Sequence, residues 1–238
     1  MKRKKICILI IILIVLFSIY YIFVNYKIKY IREISQNINN YKNIHVHTIV
    51  ESNNLEPFYT DRYWNDFEYM ETGSLNTACT YINCNNNEFI FIDNDNKYLY
   101  YCENDIPESE IITDKSKCFL YLSLDDKFCK IKYKGIEKIN NIDCYKIFVN
   151  HKLQENKATI WIEKNTGFVI KFVHDFYDKI ITYNHSYEVN KVDNIKRPDI
   201  NQYLNNNEYK IDHEKYIGNG ENEGYYIDAE GNEAMYID

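Results

Sequence analysis

The sequence predicts a mainly β protein carried behind one transmembrane helix. Three observations predict it. Residues 6–24, ICILIIILIVLFSIYYIFV, contain no charge, Pro or Gly. From Asn43 onward the spacing of apolar residues changes from three and four to two, which is the change from helical to strand period. Short turns rich in Asn, Asp and Gly separate the alternating runs, so successive strands pair as antiparallel hairpins in a closed or half-closed meander.

The apolar run comes first. A helix of that length is about 28 Å long at about 1.5 Å per residue, close to the ~30 Å hydrocarbon core of a bilayer. Such a helix satisfies its own backbone polar groups, which lipid cannot do. Lys2, Arg3, Lys4 and Lys5 precede it, as they would in a signal peptide. The run is too long for one, however, and no small-residue cleavage site follows, so the reading is an uncleaved anchor. Four cations before the run outnumber Lys27, Lys29 and Arg32 after it. That places residues 1–5 in the cytoplasm and the body on the extracytoplasmic side of the cell membrane, single-pass.

Residues 25–42 form a juxtamembrane helix, with Ile28, Ile31, Ile34 and Ile38 on one stripe. The β domain is expected over 43–203. Its predicted strands are 44–50, 58–70, 88–93, 97–102, 128–134, 142–150, 158–163, 168–173 and 179–192. The clearest is 128–134, with Cys129, Ile131 and Tyr133 on one face and Lys130, Lys132 and Lys134 on the other. Turns are expected at Asp93–Asn96 and Lys164–Gly167, where Asp, Asn or Gly tolerates a left-handed backbone. Residues 105–126 suit a loop with a short helix. The tail, 204–238, carries Lys210 and Lys215 against nine acids and repeats Tyr-Ile at 216, 226 and 236. Its composition predicts a flexible acidic tail.

Charge excludes one class of partner. Residues 1–32 sum to +7, residues 33–203 to −7 and the tail to −7. An acidic body offers no basic footprint for nucleic acid. Beyond Cys7 there are six cysteines: Cys79, Cys84, Cys102, Cys118, Cys129 and Cys144. Outside the cytoplasm they permit three disulfides; reduced, they would serve as small buried side chains. Their spacing does not suit a zinc site. His45 and His47 face one way on a strand but lack a marked third ligand. Asp93–Asp95 starts like a calcium loop and then departs from it at Lys97 and Tyr98. No nucleophile elbow, phosphate loop or zincin motif is present. The sequence therefore predicts no catalytic residues, no cofactor and no metal.

Aromatic residues are the more telling group, with 24 Tyr, 12 Phe and 2 Trp. At strand spacing they pack as core and cross-strand pairs, or they line a concave surface for acyl chains or an apolar peptide. The lipid-contacting candidates are Trp64, Phe89, Phe91, Trp161 and Phe172.

Over residues 128–199 the order of features resembles the LolA/RseB-like superfamily. Gly135-Ile136-Glu137 leads into IDCYKIFVN; Thr159-Ile160-Trp161-Ile162-Glu163 precedes Asn165-Thr166-Gly167; a Tyr-rich strand then ends near Arg197-Pro198-Asp199. With the helix before the first strand, the resemblance spans about 33–203. It implies an α-helix plus an antiparallel half-open β-barrel (LolA-like) whose hollow holds acyl chains or a lipoprotein. Here the barrel would belong to an anchored, Gram-positive-type member. The expected function is membrane-anchored binding of lipid or lipoprotein acyl chains. The alternative is an envelope sensor that binds another envelope protein. The expected partners are the bilayer and one of these.

Overall fold

A computed structural model describes residues 2–53, 55–74, 77–103, 114–119, 129–151, 157–176, 179–192, 194–218, 224–227 and 233–236. The fold is mainly β, with one long apolar helix at the N-terminus and open, largely antiparallel sheets. The chain divides into two compact units. The first joins Met1–Ile38 to Leu120–Asp178, and the second joins Asn39–Phe119 to Lys179–Asp238.

In the first unit, α1 (Lys2–Ser35) runs without a break through the apolar run and into the predicted juxtamembrane helix, but ends at Ser35, short of the predicted Lys42. A 3-10 turn, Gln36–Asn40, follows it. No Pro or Gly interrupts residues 2–35, so nothing in the sequence breaks the helix. Side chains from Ile8 to Phe23 are exposed, while Ile31 and Ser35 are buried. Helix α1 is long and apolar enough to cross a membrane. Its last turns cover a four-stranded sheet of β7 (Cys129–Ile139), β8 (Ile142–His151), β9 (Lys157–Glu163) and β10 (Val169–Phe176), with β7 at its edge. Strand period puts Ile147, Val149, Ile160, Ile162 and Phe172 on one face, and all are buried. The β7–β8 turn is made by Asn140 and Asn141, both at positive φ, which Asn tolerates. Gly167 in the β9–β10 turn has φ +81°, as its position predicted.

The second unit builds a sheet from β1 (Ile44–Ser52), β2 (Leu55–Asn65), β3 (Glu68–Gly73), β4 (Ala78–Asn83), β5 (Glu88–Asp93), β6 (Tyr98–Glu103), β11 (Lys179–Val189), β12 (Lys210–Gly218), β13 (Gly224–Ile227) and β14 (Glu233–Tyr236). Their order is β14-β13-β12-β6-β5-β4-β3-β2-β1-β11. The predicted single strand 58–70 is in fact two strands, which fold back at Asp66-Phe67 so that Asn65 pairs with Glu68. The aromatic density on both sides of the turn hid it. Strand β4 was not predicted. The β5–β6 turn forms where expected, with Asp93 Oδ1 accepting from the backbone N–H groups of Asp95 and Asn96 at 3.0 Å. Its left-handed residue is Lys97, φ 53°, rather than an Asp or Asn.

Within the acidic segment, β12 lies parallel to β6, pairing Lys210–Lys215 with Tyr98–Glu103. Tyr209 donates to Asn94 Oδ1 at 2.6 Å and Tyr98 to Asp212 Oδ2 at 2.9 Å. A short helix, α2 (Asn201–Leu204), precedes β12. Val192, Ile195 and Ile200 pack onto Tyr81, Ile90, Ile92 and Leu99 on one face of the sheet. Arg197 holds this covering segment by donating from Nε to both carboxylate oxygens of Glu88, at 2.9 and 3.0 Å.

Candidate functional site

The opposite face of the second unit's sheet carries the candidate site. One row across the strands reads Ile44, Trp64, Tyr69, Ile82, Phe89 and Cys102. The next reads Val46, Arg62, Glu71, Thr80, Phe91, Tyr100 and Asp212. Period-2 geometry alone puts these side chains on one face.

At the β1–β2 end the face is filled by the chain's own side chains. Trp64 is fully enclosed, with ring centroids 5.1 Å from Tyr69 and 5.7 Å from Phe119. Phe119 also meets His185 at 5.4 Å and Tyr187 at 5.9 Å, and the Arg62 guanidinium lies 5.8 Å from its ring centre. Beneath this aromatic cover lie polar groups. Arg62 Nη2 donates to Glu71 Oε1 at 3.0 Å, and the Tyr69 hydroxyl donates to Glu71 Oε2. Thr48 Oγ1 and His185 Nδ1 are 2.9 Å apart. Burial, aided by the Arg62 charge, pushes the His185 pKa down to about 3, so the ring is neutral at pH 7.

Toward β5 and β6 the same face opens. Phe89 and Phe91 are half-buried, as are Tyr98 and Tyr100. Phe89 meets Tyr100 at 5.8 Å and Phe91 meets Tyr98 at 6.4 Å. The result is an aromatic shelf that begins where the filled core ends.

The remaining predicted contact residues lie in the first unit. Phe172 is fully enclosed among Ile147, Ile160 and their neighbours. Trp161 occupies the sheet's other face, 7% exposed, with Lys146 Nζ 5.0 Å and Lys171 Nζ 5.5 Å from its ring centre. Glu137 accepts from Lys146 at 2.7 Å, and this bond holds its carboxyl below the usual range.

His45 and His47 do acquire further partners, from β2 and β11. Asp61 Oδ1 accepts from His45 Nε2 at 2.8 Å and from His47 Nδ1 at 2.9 Å, while Glu188 lies 3.5 Å from His45 Nδ1. Tyr63 stacks on His45 with ring centroids 4.3 Å apart. A carboxylate oxygen thus sits between the two nitrogens. Among the described residues, no group of three or more His, Cys, Asp or Glu is arranged to hold a metal ion.

Cys79, Cys84 and Cys144 stand as thiols. Burial pushes Cys79 and Cys144 up to about 11. Cys102 is buried on β6 and Cys129 begins β7. The side chain of Cys118 lies outside the described residues.

Arg62, Phe119 and His185 were not anticipated from the sequence as members of one cluster. Arg62 and His185 stand 123 positions apart in the numbering, and only the β2–β1–β11 pairing brings them together. The alternation of β2 could have shown that Arg62 shares a face with Trp64.

No protein-family model and no curated protein matches the sequence. Solved structures do resemble the fold. LprF from Mycobacterium bovis is 14% identical, with a TM-score of 0.46 over 73% of this chain and 96% of that one. The MucA/MucB complex of Pseudomonas aeruginosa includes a chain 7% identical, with a TM-score of 0.42 over 84% of this chain and 76% of that one. A LolA superfamily protein from Nitrosomonas europaea is 6% identical, with a TM-score of 0.31 over 72% of this chain and 94% of that one.

Proposed function

We propose that the chain is a single-pass membrane protein whose extracytoplasmic body, residues 43–203, binds lipid or lipoprotein acyl chains by burial, without covalent chemistry. The supporting observation is the half-open shelf of Phe89, Phe91, Tyr98 and Tyr100, continuous with a filled aromatic core. Each methylene laid on such a surface gains roughly 0.8 kcal/mol when fully buried, so a chain of ordinary acyl length supplies affinity without a polar anchor. Trp64 and Phe172, both fully enclosed, support the shelf and the fold in this reading, and Phe89 and Phe91 make the contact.

Native mass spectrometry of the full chain, extracted in mild detergent, tests this. Wild type is expected to carry lipid, and a Phe89→Ser, Phe91→Ser variant to lose it while keeping its folded spectrum. A lipid-free wild type would overturn the proposal.

One observation favours a second reading, an envelope sensor that binds a protein partner. Strand β12 lies parallel along β6, which is how an extended segment adds to a sheet edge. Crosslinking in intact cells separates the readings, because a captured protein at β6 without bound lipid would favour the second.

A further inference from the structure

We propose that β7 is a membrane-facing edge, and that its lysines, with Ile136, seat the first unit on anionic lipid headgroups. This rests on the anchored reading above. The order of contacts along α1 carries it. Lys27 Nζ lies 5.6 Å from the ring centre of Tyr145, on β8, and Tyr30 meets the same ring at 6.1 Å. One turn later, the Ile34 backbone lies against Gly167, in the β9–β10 turn. As the helix leaves the membrane it therefore crosses the sheet from the β7–β8 side toward the β9–β10 turn. Strand β7, against which α1 also packs, is the strand nearest the apolar segment.

The heights agree. Lys27 is three residues beyond Val24, about 4.5 Å along the helix. Neighbouring strands are about 4.8 Å apart. An edge one strand below Tyr145 therefore lies close to the headgroup region.

The chemistry of that edge suits the location. Lys130, Lys132, Lys134 and Lys138 are exposed on β7. Lys130, Lys132 and Lys134 make no ion pair among the described residues. Ile136, paired with Tyr145, is 54% exposed, an aliphatic side chain left in the open on the helix side of the strand with Lys138, while Lys130, Lys132 and Lys134 lie on its other side. Charge is also unevenly divided. Outside the N-terminal 24 residues the first unit carries thirteen Lys or Arg against nine acids, whereas the second carries eleven against twenty-six. The cationic unit is the one tied to the membrane helix, where anionic lipids attract lysines within a Debye length. The same lysines keep the open edge of β7 from pairing with other chains.

Amine acetylation of the full chain in lipid nanodiscs, read residue by residue by mass spectrometry, tests the assignment. The nanodiscs contain phosphatidylcholine with or without phosphatidylglycerol. Lys130, Lys132, Lys134 and Lys138 are expected to be protected several-fold in the anionic discs, and high salt should reverse this. Lys191 and Lys210 serve as the reference. A Lys130→Gln, Lys132→Gln, Lys134→Gln variant is expected to lose the protection of Lys138. Equal acetylation in both lipids would overturn the membrane-facing edge. Carbonate extraction of native membranes is the separate check on the anchor: a chain released by it would overturn both readings, whereas a retained chain with unprotected lysines would overturn only this one.

Discussion

Gly167 stands so close to Ile34 that a Cβ added there would lie 1.8 Å from the Ile34 carbonyl oxygen. The glycine is also at φ +81°. A single residue thus meets two demands, a left-handed turn between β9 and β10 and close passage of the helix backbone. Gly167→Ala is expected to destabilise the protein by roughly 3 kcal/mol, since neither backbone can give way without loss of packing. Thermal unfolding in detergent would show a lower midpoint. Gly135, at φ +107° but with nothing within 4 Å of an added Cβ, is expected to tolerate Ala at a smaller cost.

Trp64 and Phe91 occupy one face of one sheet but are expected to behave differently when truncated. Trp64→Ala opens a cavity beside Tyr69 and Phe119 and should cost about 3–5 kcal/mol. Phe91→Ser, at a half-open position, should change stability much less. Its effect belongs to ligand retention. Denaturant unfolding of both variants provides the comparison, and equal losses would contradict the division between core and shelf.

The buried neutral His185 predicts an acid-sensitive fold. Its folded pKa is depressed, to about 3, by burial first and by Arg62 second. Between about pH 6.5 and that value the unfolded chain binds the proton and the folded chain does not. Stability therefore falls on acidification, by up to about 1.4 kcal/mol per pH unit in that window. His174, also lowered by burial, acts with the same sign. The carboxylates held low, Glu137, Glu188 and Asp93, lose their contribution only below about pH 4.5. Unfolding midpoints at pH 7 and pH 5 isolate the histidine effect, and His185→Gln should flatten the difference.

The Arg197–Glu88 pair fixes the covering segment over Tyr81 and Ile90. Glu88 is buried and Arg197 is partly exposed. Removing the guanidinium leaves a buried carboxylate without its partner, so Arg197→Ala should cost about 1–3 kcal/mol. Glu88→Gln in the same background should recover part of that loss. A double-mutant cycle measures the coupling.

Cys79, Cys84 and Cys144 should react with an alkylating reagent under denaturing, non-reducing conditions. In the folded protein Cys144, fully buried, should react far more slowly than Cys84. Failure of any of the three to label after unfolding would point to a disulfide.

By itself the sequence determined the elements whose signal is local. The charge-free run implied a membrane-length helix, because its length and composition are read from contiguous residues. Alternation in 129–134 showed which side of β7 is wet, and Asn165-Thr166-Gly167 marked a turn, because period and turn chemistry act over a few positions. Other features required strand pairing. The fold-back at Asp66-Phe67 was hidden because both of its arms are aromatic. The meeting of Asp61 with His45 and His47, and of Arg62 with Phe119 and His185, depends on which strands neighbour β1. No local rule specifies that order, because partners far apart in the chain meet only when the whole sheet is assembled. Whether an aromatic residue is core or shelf was decided in the same way. Trp64 and Phe91 look alike in the sequence, and they differ in the structure because only the first has Tyr69 and Phe119 packed around it.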